Sequence, residues 1–211
     1  MVEVIPSINH SDPEELRRRI RQVEPYVRWV HVDVSDGIFA SVKIFNDPSA
    51  LYNFFTPLNI ELHLMIEKPE EHLDAWLKTG ARRLLVHIES TNSFAMIRRR
   101  VLRAEREIGA ALHPATSPEA YDAYAELTNY VLVLGVTPGP SGQKMQPHCI
   151  NTVMHLRERH PKCIIEVDGG VSIIKGTAHK LVAAGANNLC VGHEIFSSGD
   201  IAATIEAFRT L

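Results

Sequence analysis

No apolar run in this chain approaches the roughly 20 residues that a membrane-spanning helix needs; the longest are strand-sized. The opening stretch, MVEVIPSINHSDPEELRRR, lacks the apolar core of a signal peptide, so a cytoplasmic location is expected. Cysteine is scarce: Cys149, Cys163 and Cys190 are an odd three with no CxxC spacing, which excludes a disulfide framework and implies reduced thiols. Positive charge is not in excess. The 22 Lys and Arg against 25 Asp and Glu leave a net −3, so neither nucleic acid nor a membrane surface is an expected partner. The arginines at 98, 99, 100, 103 and 106 read as a solvated helix face, because acids are interleaved with them. Signature loops are missing too. No GxGxxG turn follows the first apolar run, and there is no Walker pattern, GxSxG elbow or convincingly placed Schiff-base lysine.

What is present is alternation. Short apolar runs lie near Val2–Ile8, Trp29–Val34, Ile60–Ile66, Leu84–Ile88, Ile108–Leu112, Tyr130–Val136, Cys163–Val167 and Asn188–Val191. Amphipathic, helix-like segments begin near Asp12, Asp47, Pro69, Asn92, Ser117, Pro147, Ile173 and Ser197. Asp12-Pro13-Glu14-Glu15 and Ser117-Pro118-Glu119 carry helix-start signals; Gly80 and Gly185 suit helix ends. Strand–helix alternation over 211 residues with no linker predicts an α/β fold with a parallel sheet, closed into a (β/α)8 TIM barrel that fills residues 1–211 as one domain. A doubly wound sheet is the alternative.

Strands of such a barrel are buried on both faces and should be continuously apolar. Three are not. Side chains alternate with period two, so Val30, Val32 and Val34 face the helices while Trp29, His31, Asp33 and Ser35 face inward. By the same count Glu61, His63 and Met65 point inward from the third strand, and Ile164, Glu166 and Asp168 from the seventh. Unpaired carboxylates there would cost several kcal/mol or neutralise. His31, Asp33, His63 and Asp168 lie toward the C-terminal strand ends, where these barrels carry their active sites, and make a candidate site for one divalent metal. Glu61 and Glu166, set deeper, read as structural polar groups. His87 and Glu89 read as either site wall or structure. His113 is a candidate to reach the site from the fifth strand. His10, His72, His148, His155, His160 and His179 read as surface residues.

Glycine-rich loops close the sixth, seventh and eighth strands: Thr137-Pro138-Gly139-Pro140-Ser141-Gly142-Gln143, Asp168-Gly169-Gly170 and Val191-Gly192-His193. Backbone N–H groups in such loops line anion sites, which points to a phosphate group without a nucleotide triphosphate.

At these residues the chain resembles the ribulose-phosphate 3-epimerase family. The resemblance rests on His31-Val32-Asp33-Val34-Ser35-Asp36-Gly37, His63-Leu64-Met65-Ile66, Pro138-Gly139-Pro140-Ser141-Gly142-Gln143 and Glu166-Val167-Asp168-Gly169-Gly170, and runs from Ile5 to Phe196. It implies a metal-dependent isomerase of carbohydrate metabolism that inverts C3 of ribulose 5-phosphate, in the pentose phosphate pathway, through an enediolate. It also implies one Zn, Fe, Mn or Co ion on His31, Asp33, His63 and Asp168, with Asp33 and Asp168 as the acid/base pair. Substrate contacts are expected from Ser7, His63, Met65, Gly139, Ser141, Gly142, Gln143, Gly169, Gly170, Gly192 and His193, and a homo-oligomer is a reasonable assembly. The chain departs from the family pattern at Ser35, at Ile38–Val42, at Leu134-Gly135, at Thr137–Gly142 and at His193. These changes alter the pocket wall, lid and phosphate loop. They keep open a hexulose 6-phosphate as substrate, a phosphate-binding aldolase or decarboxylase on the same fold, and a barrel that binds a phosphorylated metabolite without turnover.

Overall fold

The computed structural model describes residues 2–211. Its strands are β1 (Glu3–Ile8), β2 (Trp29–Ser35), β3 (Asn59–Met65), β4 (Arg83–His87), β5 (Glu107–Leu112), β6 (Tyr130–Leu134), β7 (Ile164–Asp168) and β8 (Asn188–Val191). All neighbouring pairs are parallel, and β8 pairs with β1 to close the barrel in sequence order. The predicted strands shift by a residue or two at their ends, except β8, which falls as expected.

The helices are α1 (Pro13–Val23), α2 (Pro69–Leu77), α3 (Phe94–Arg103), α4 (Cys149–Arg159), α5 (Thr177–Ala184), α6 (His193–Phe196) and α7 (Ile201–Arg209). Asp12 caps α1 by accepting a hydrogen bond from the Glu14 N–H at 3.0 Å. Gly80 and Gly185 take positive φ where expected. Two expected helices are not α-helices. After β2, Asp47 caps only a 3₁₀ turn at Pro48–Leu51. After β5, the segment from Ser117 forms a 3₁₀ stretch at Pro118–Ala123, and Ser117 makes no cap bond to the backbone. Its hydroxyl is turned to the Glu119 carboxylate instead. Tyr121 fills the space a helix would take; it is fully buried and donates its hydroxyl to the Thr128 carbonyl at 2.6 Å. The helix expected from near Ser197 begins at Ile201 as α7, and the short α6 before it was not expected.

The alternation of faces follows the sequence pattern. Val30, Val32, Val34, Leu62, Leu64, Ile165 and Val167 pack outward with Leu16, Ile20, Val101, Leu156, Leu181 and Ile205 of the helices. Each such fully buried aliphatic side chain stabilises the fold by about 1.5–3 kcal/mol before entropy is subtracted. A separate, smaller apolar cluster of Leu85, Ala111, Tyr130 and Leu132 fills the barrel interior. The interior is therefore packed, and the inward polar residues must find partners within it.

Candidate metal centre and active-site cavity

The parallel register sets Asp33 beside His63 and His31 beside Glu61. His31 Nε2 lies 3.3 Å from Asp33 Oδ1, and His63 Nδ1 lies 3.0 Å from the same oxygen. Asp168, from β7, completes the group: one ligand atom each from His31, Asp33, His63 and Asp168 lies within 4.8 Å of the others. Four expected residues from three strands thus converge. His31 Nε2 is buried with no hydrogen-bond partner, an orphaned ring nitrogen aimed at the group. Two imidazoles and two carboxylates with such an orphan are a donor set that fits a divalent cation of intermediate softness.

The two aspartates differ. Burial opposes the Asp33 charge, but hydrogen bonds to His31 and His63 reverse that and hold its carboxyl far below the usual range. Burial, reinforced by the neighbouring Asp33 charge, pushes Asp168 up to about 7. His31 would be driven neutral by burial, yet Cys190, Asp33 and Glu166 raise it well above its ordinary value. Burial pushes His63 down to about 4. In the metal-free protein the cluster therefore holds a proton where a cation fits.

Above the cluster opens a cavity of about 280 Å³, lined by Asp33, Asp168, Met65, Ser7 and the three glycine-rich loops. Gly139, Ser141, Gly142, Gln143, Gly169, Gly170, Gly192 and His193 all reach it, as expected. His63 does not; it lies beneath the lining, within the cluster. The Gln143 amide is already engaged, donating to the Thr137 and Pro140 carbonyls at 2.7 Å, so it braces its own loop. Gly169 and Gly170 have φ of +94° and +72°, and a Cβ on Gly170 would lie 2.5 Å from the Met145 backbone nitrogen. The loop after β7 is thus clamped against the loop after β6.

His113 does not reach the site. It sits past the end of β5, with Nδ1 accepting from the Ala115 N–H. Of the histidines expected at the surface, His160 is partly buried, bonded to Asp122 at 2.8 Å and set edge-on against Tyr121. Sequence reasoning missed Asn9, which lines the cavity and donates to Asp33 Oδ2 at 3.1 Å and to the Gly139 carbonyl at 3.0 Å. The signal was available: Asn9 is two residues beyond Ser7 and so continues the inward face of β1. It missed Lys175 as well, an exposed cation at the mouth.

Deeper in the barrel, Glu61, Arg83, Tyr130, Glu166 and Asn188 form a second polar layer. Arg83 donates to Glu61 at 2.7 Å, to Glu107 at 2.7 Å and to the Tyr130 hydroxyl at 2.8 Å. Its guanidinium lies 4.0 Å from the centres of both the Trp29 and Tyr130 rings. Tyr130 donates to Glu166 and accepts from Asn188 at 2.7 Å. The expectation that Glu61 and Glu166 lie in a lower layer matches this arrangement.

Comparison with known proteins bears on this site. The sequence model of the ribulose-phosphate 3 epimerase family matches residues 3–196. Ribulose-phosphate 3-epimerase of Schizosaccharomyces pombe is 30% identical over 98% of this chain and 92% of its own length. The enzyme of the same name from Chlamydia trachomatis is 32% identical, covering 95% of this chain and 88% of its own. Among solved structures, a 3-hexulose-6-phosphate synthase superposes with a TM-score of 0.72 at 15% identity, over 99% of this chain and 98% of that one. The 3-hexulose-6-phosphate synthase from Salmonella typhimurium gives 0.76 at 14%, over 99% and 97%. These two share the barrel fold.

Proposed function

The chain belongs to the ribulose-phosphate 3-epimerase family, and from that premise we propose that it inverts C3 of a ketose phosphate, interconverting ribulose 5-phosphate and xylulose 5-phosphate. By family it is an isomerase. The observation that carries the reading is the pair of aspartates, on strands β2 and β7, lining one cavity directly above the candidate cation site. Two carboxyl groups brought to one space from different strands supply one base and one acid.

Asp33, held ionised, takes the C3 proton that the adjacent carbonyl makes acidic. Asp168, on the facing strand, returns one to the opposite face of the resulting enediolate. In the reverse direction the two exchange roles. Asn9 and Ser7 keep Asp33 in place: Asn9 donates at 3.1 Å and the Ser7 hydroxyl lies at 3.5 Å. His31, Asp33, His63 and Asp168 would hold one divalent cation. When bound, such an ion supplies Lewis-acid stabilisation of negative charge on the reacting oxygens. Met65 walls the reacting end with apolar surface. The glycine loops after β6, β7 and β8 grip the phosphate through backbone N–H groups, with Lys175 adding positive charge and His193 a ring nitrogen at the mouth. The barrel acts as one domain, and a cytoplasmic location belongs to the same proposal. Among the described residues no helix is long and apolar enough to cross a membrane.

Incubation of the metal-loaded protein with ribulose 5-phosphate in heavy water tests the proposal. Deuterium is expected at C3 of both ribulose and xylulose 5-phosphate. No exchange into any ketose phosphate would refute it. Faster exchange into a hexulose 6-phosphate would keep the chemistry and correct the substrate.

A further inference from the structure

The two imidazoles of the cluster present opposite nitrogens to it. His31 turns Nε2 inward and His63 turns Nδ1 inward. An imidazole carries its lone pair on the inner nitrogen only when the outer one keeps the proton, so each ring needs a fixed acceptor behind it. Both have one. The outer nitrogen of His31, Nδ1, lies 2.8 Å from Glu61 Oε1. The outer nitrogen of His63, Nε2, lies 2.9 Å from His87 Nε2. His87 Nδ1 in turn lies 3.1 Å from Glu89 Oε2.

The directions of these bonds follow from the acids. Glu89 already accepts from the His113 N–H at 2.9 Å and from the Thr116 hydroxyl, so it faces His87 as an acceptor. With His87 Nδ1 as the donor to Glu89, the opposite ring nitrogen, Nε2, is left to face His63 as an acceptor. Its lone pair accepts from His63 Nε2, and the proton of His63 is thereby kept off Nδ1. Phe39, packed on His87 at 4.7 Å between ring centres, covers the relay from the side of the altered lid segment. On the other side Arg83, bonded to Glu61 at 2.7 Å, holds that carboxylate behind His31.

We propose that Glu61 and the His87–Glu89 pair are positioning residues that assign opposite tautomers to His31 and His63, so that Nε2 of one and Nδ1 of the other face the same cation. The inference rests on the cation site proposed above. It gives a task to Glu61, which the sequence alone reads as structural, and assigns His87 and Glu89 as groups acting through His63.

The test uses the full chain, stripped of metal and titrated with Zn²⁺. One equivalent of zinc should bind. Long-range proton–nitrogen correlation NMR on histidine-labelled, zinc-loaded protein should then show a protonated Nδ1 in His31 and a protonated Nε2 in His63. The same tautomer in both rings overturns the proposal while leaving the cation site standing. Failure to bind zinc at all overturns both. Glu61→Gln and Glu89→Gln should each weaken zinc binding, by about ten- to hundredfold for groups behind a ligand. Tyr130→Phe injures the deep layer without touching either imidazole, and should leave zinc affinity within about threefold. Equal losses in Glu61→Gln and Tyr130→Phe would reduce Glu61 to a part of the fold and refute its positioning role. Glu89 is at the protein surface, so Glu89→Gln decides the His63 half even if Glu61→Gln does not fold; unchanged affinity there refutes it.

Discussion

Two polar layers sit one above the other inside the same barrel, and they are built on different principles. In the deep layer Arg83 bridges Glu61 and Glu107, and the Tyr130 hydroxyl takes part in three hydrogen bonds, while Glu166 Oε1 stays without a partner. In the upper layer His31 Nε2 has no partner, two aspartates share a space, and one of them is pushed up to about 7. Buried polar groups cost stability unless paired. Both layers carry such a cost, but only the upper one, through Asp33 and Asp168, opens to the cavity between the glycine-rich loops. The lesson is that access to the cavity, more than unpaired polarity, separates site from scaffold.

Breaking the upper layer should give the largest effect. Asp33→Asn and Asp168→Asn, each removing one proton-transfer group, should lower kcat by at least about a thousandfold while the circular dichroism spectrum is retained. Near-normal turnover in either variant would end the two-base scheme. Chelation comes next. With free cation at a hundred times Kd, its removal should lower stability by about 2.7 kcal/mol, or about 5–11 °C in Tm for a chain of this size.

The effect of chelation should also depend on pH. The Asp168 pKa is raised in the folded state, so its contribution to metal-free stability is present below its ordinary value of 3.8 and is lost as pH rises to about 7. A cation replaces that proton, so the chelation shift should widen between pH 5 and pH 8. A shift that narrows over this range would contradict the assignment.

Breaking the deep layer should look different. Tyr130→Phe should cost about 1–3 kcal/mol in urea unfolding, by leaving buried partners unsatisfied, with kcat close to that of the unaltered protein. A collapse of kcat would erase the distinction between the layers. The smallest effect belongs to the mouth. Lys175→Ala removes an exposed charge and should raise KM by a factor of about five or less, equivalent to about 1 kcal/mol, with kcat unchanged.

The contrast also marks what could be read without coordinates. Val30, Val32 and Val34 against His31 and Asp33 is a period-two pattern, so the faces of β2, and with them the cluster, were legible. Glu61 and Glu166 were legible as lower-layer groups, because depth along a strand is a count of residues. Asn9 was not recognised, since it lies just beyond β1, where periodicity was not carried forward. The two missing crossover helices were not legible either. Ala120, Ala123 and Ala125 favour helix, and only packing of Tyr121 beneath the chain decides against it. Which histidine nitrogen faces inward depends on the partners behind each ring, and the sequence does not state those.

The clamp between Gly170 and Met145 has a consequence for selection among sugars. A side chain at Gly170 would meet backbone, so the two loops are held as one wall and leave little to reshape around a guest. An anion caught there is caught at a constant height above Asp33 and Asp168. The wall then works as a gauge rather than a glove: the number of carbons between the anchored end and the carbonyl decides which carbon hangs between the two acids, and a longer sugar is discriminated by overshoot.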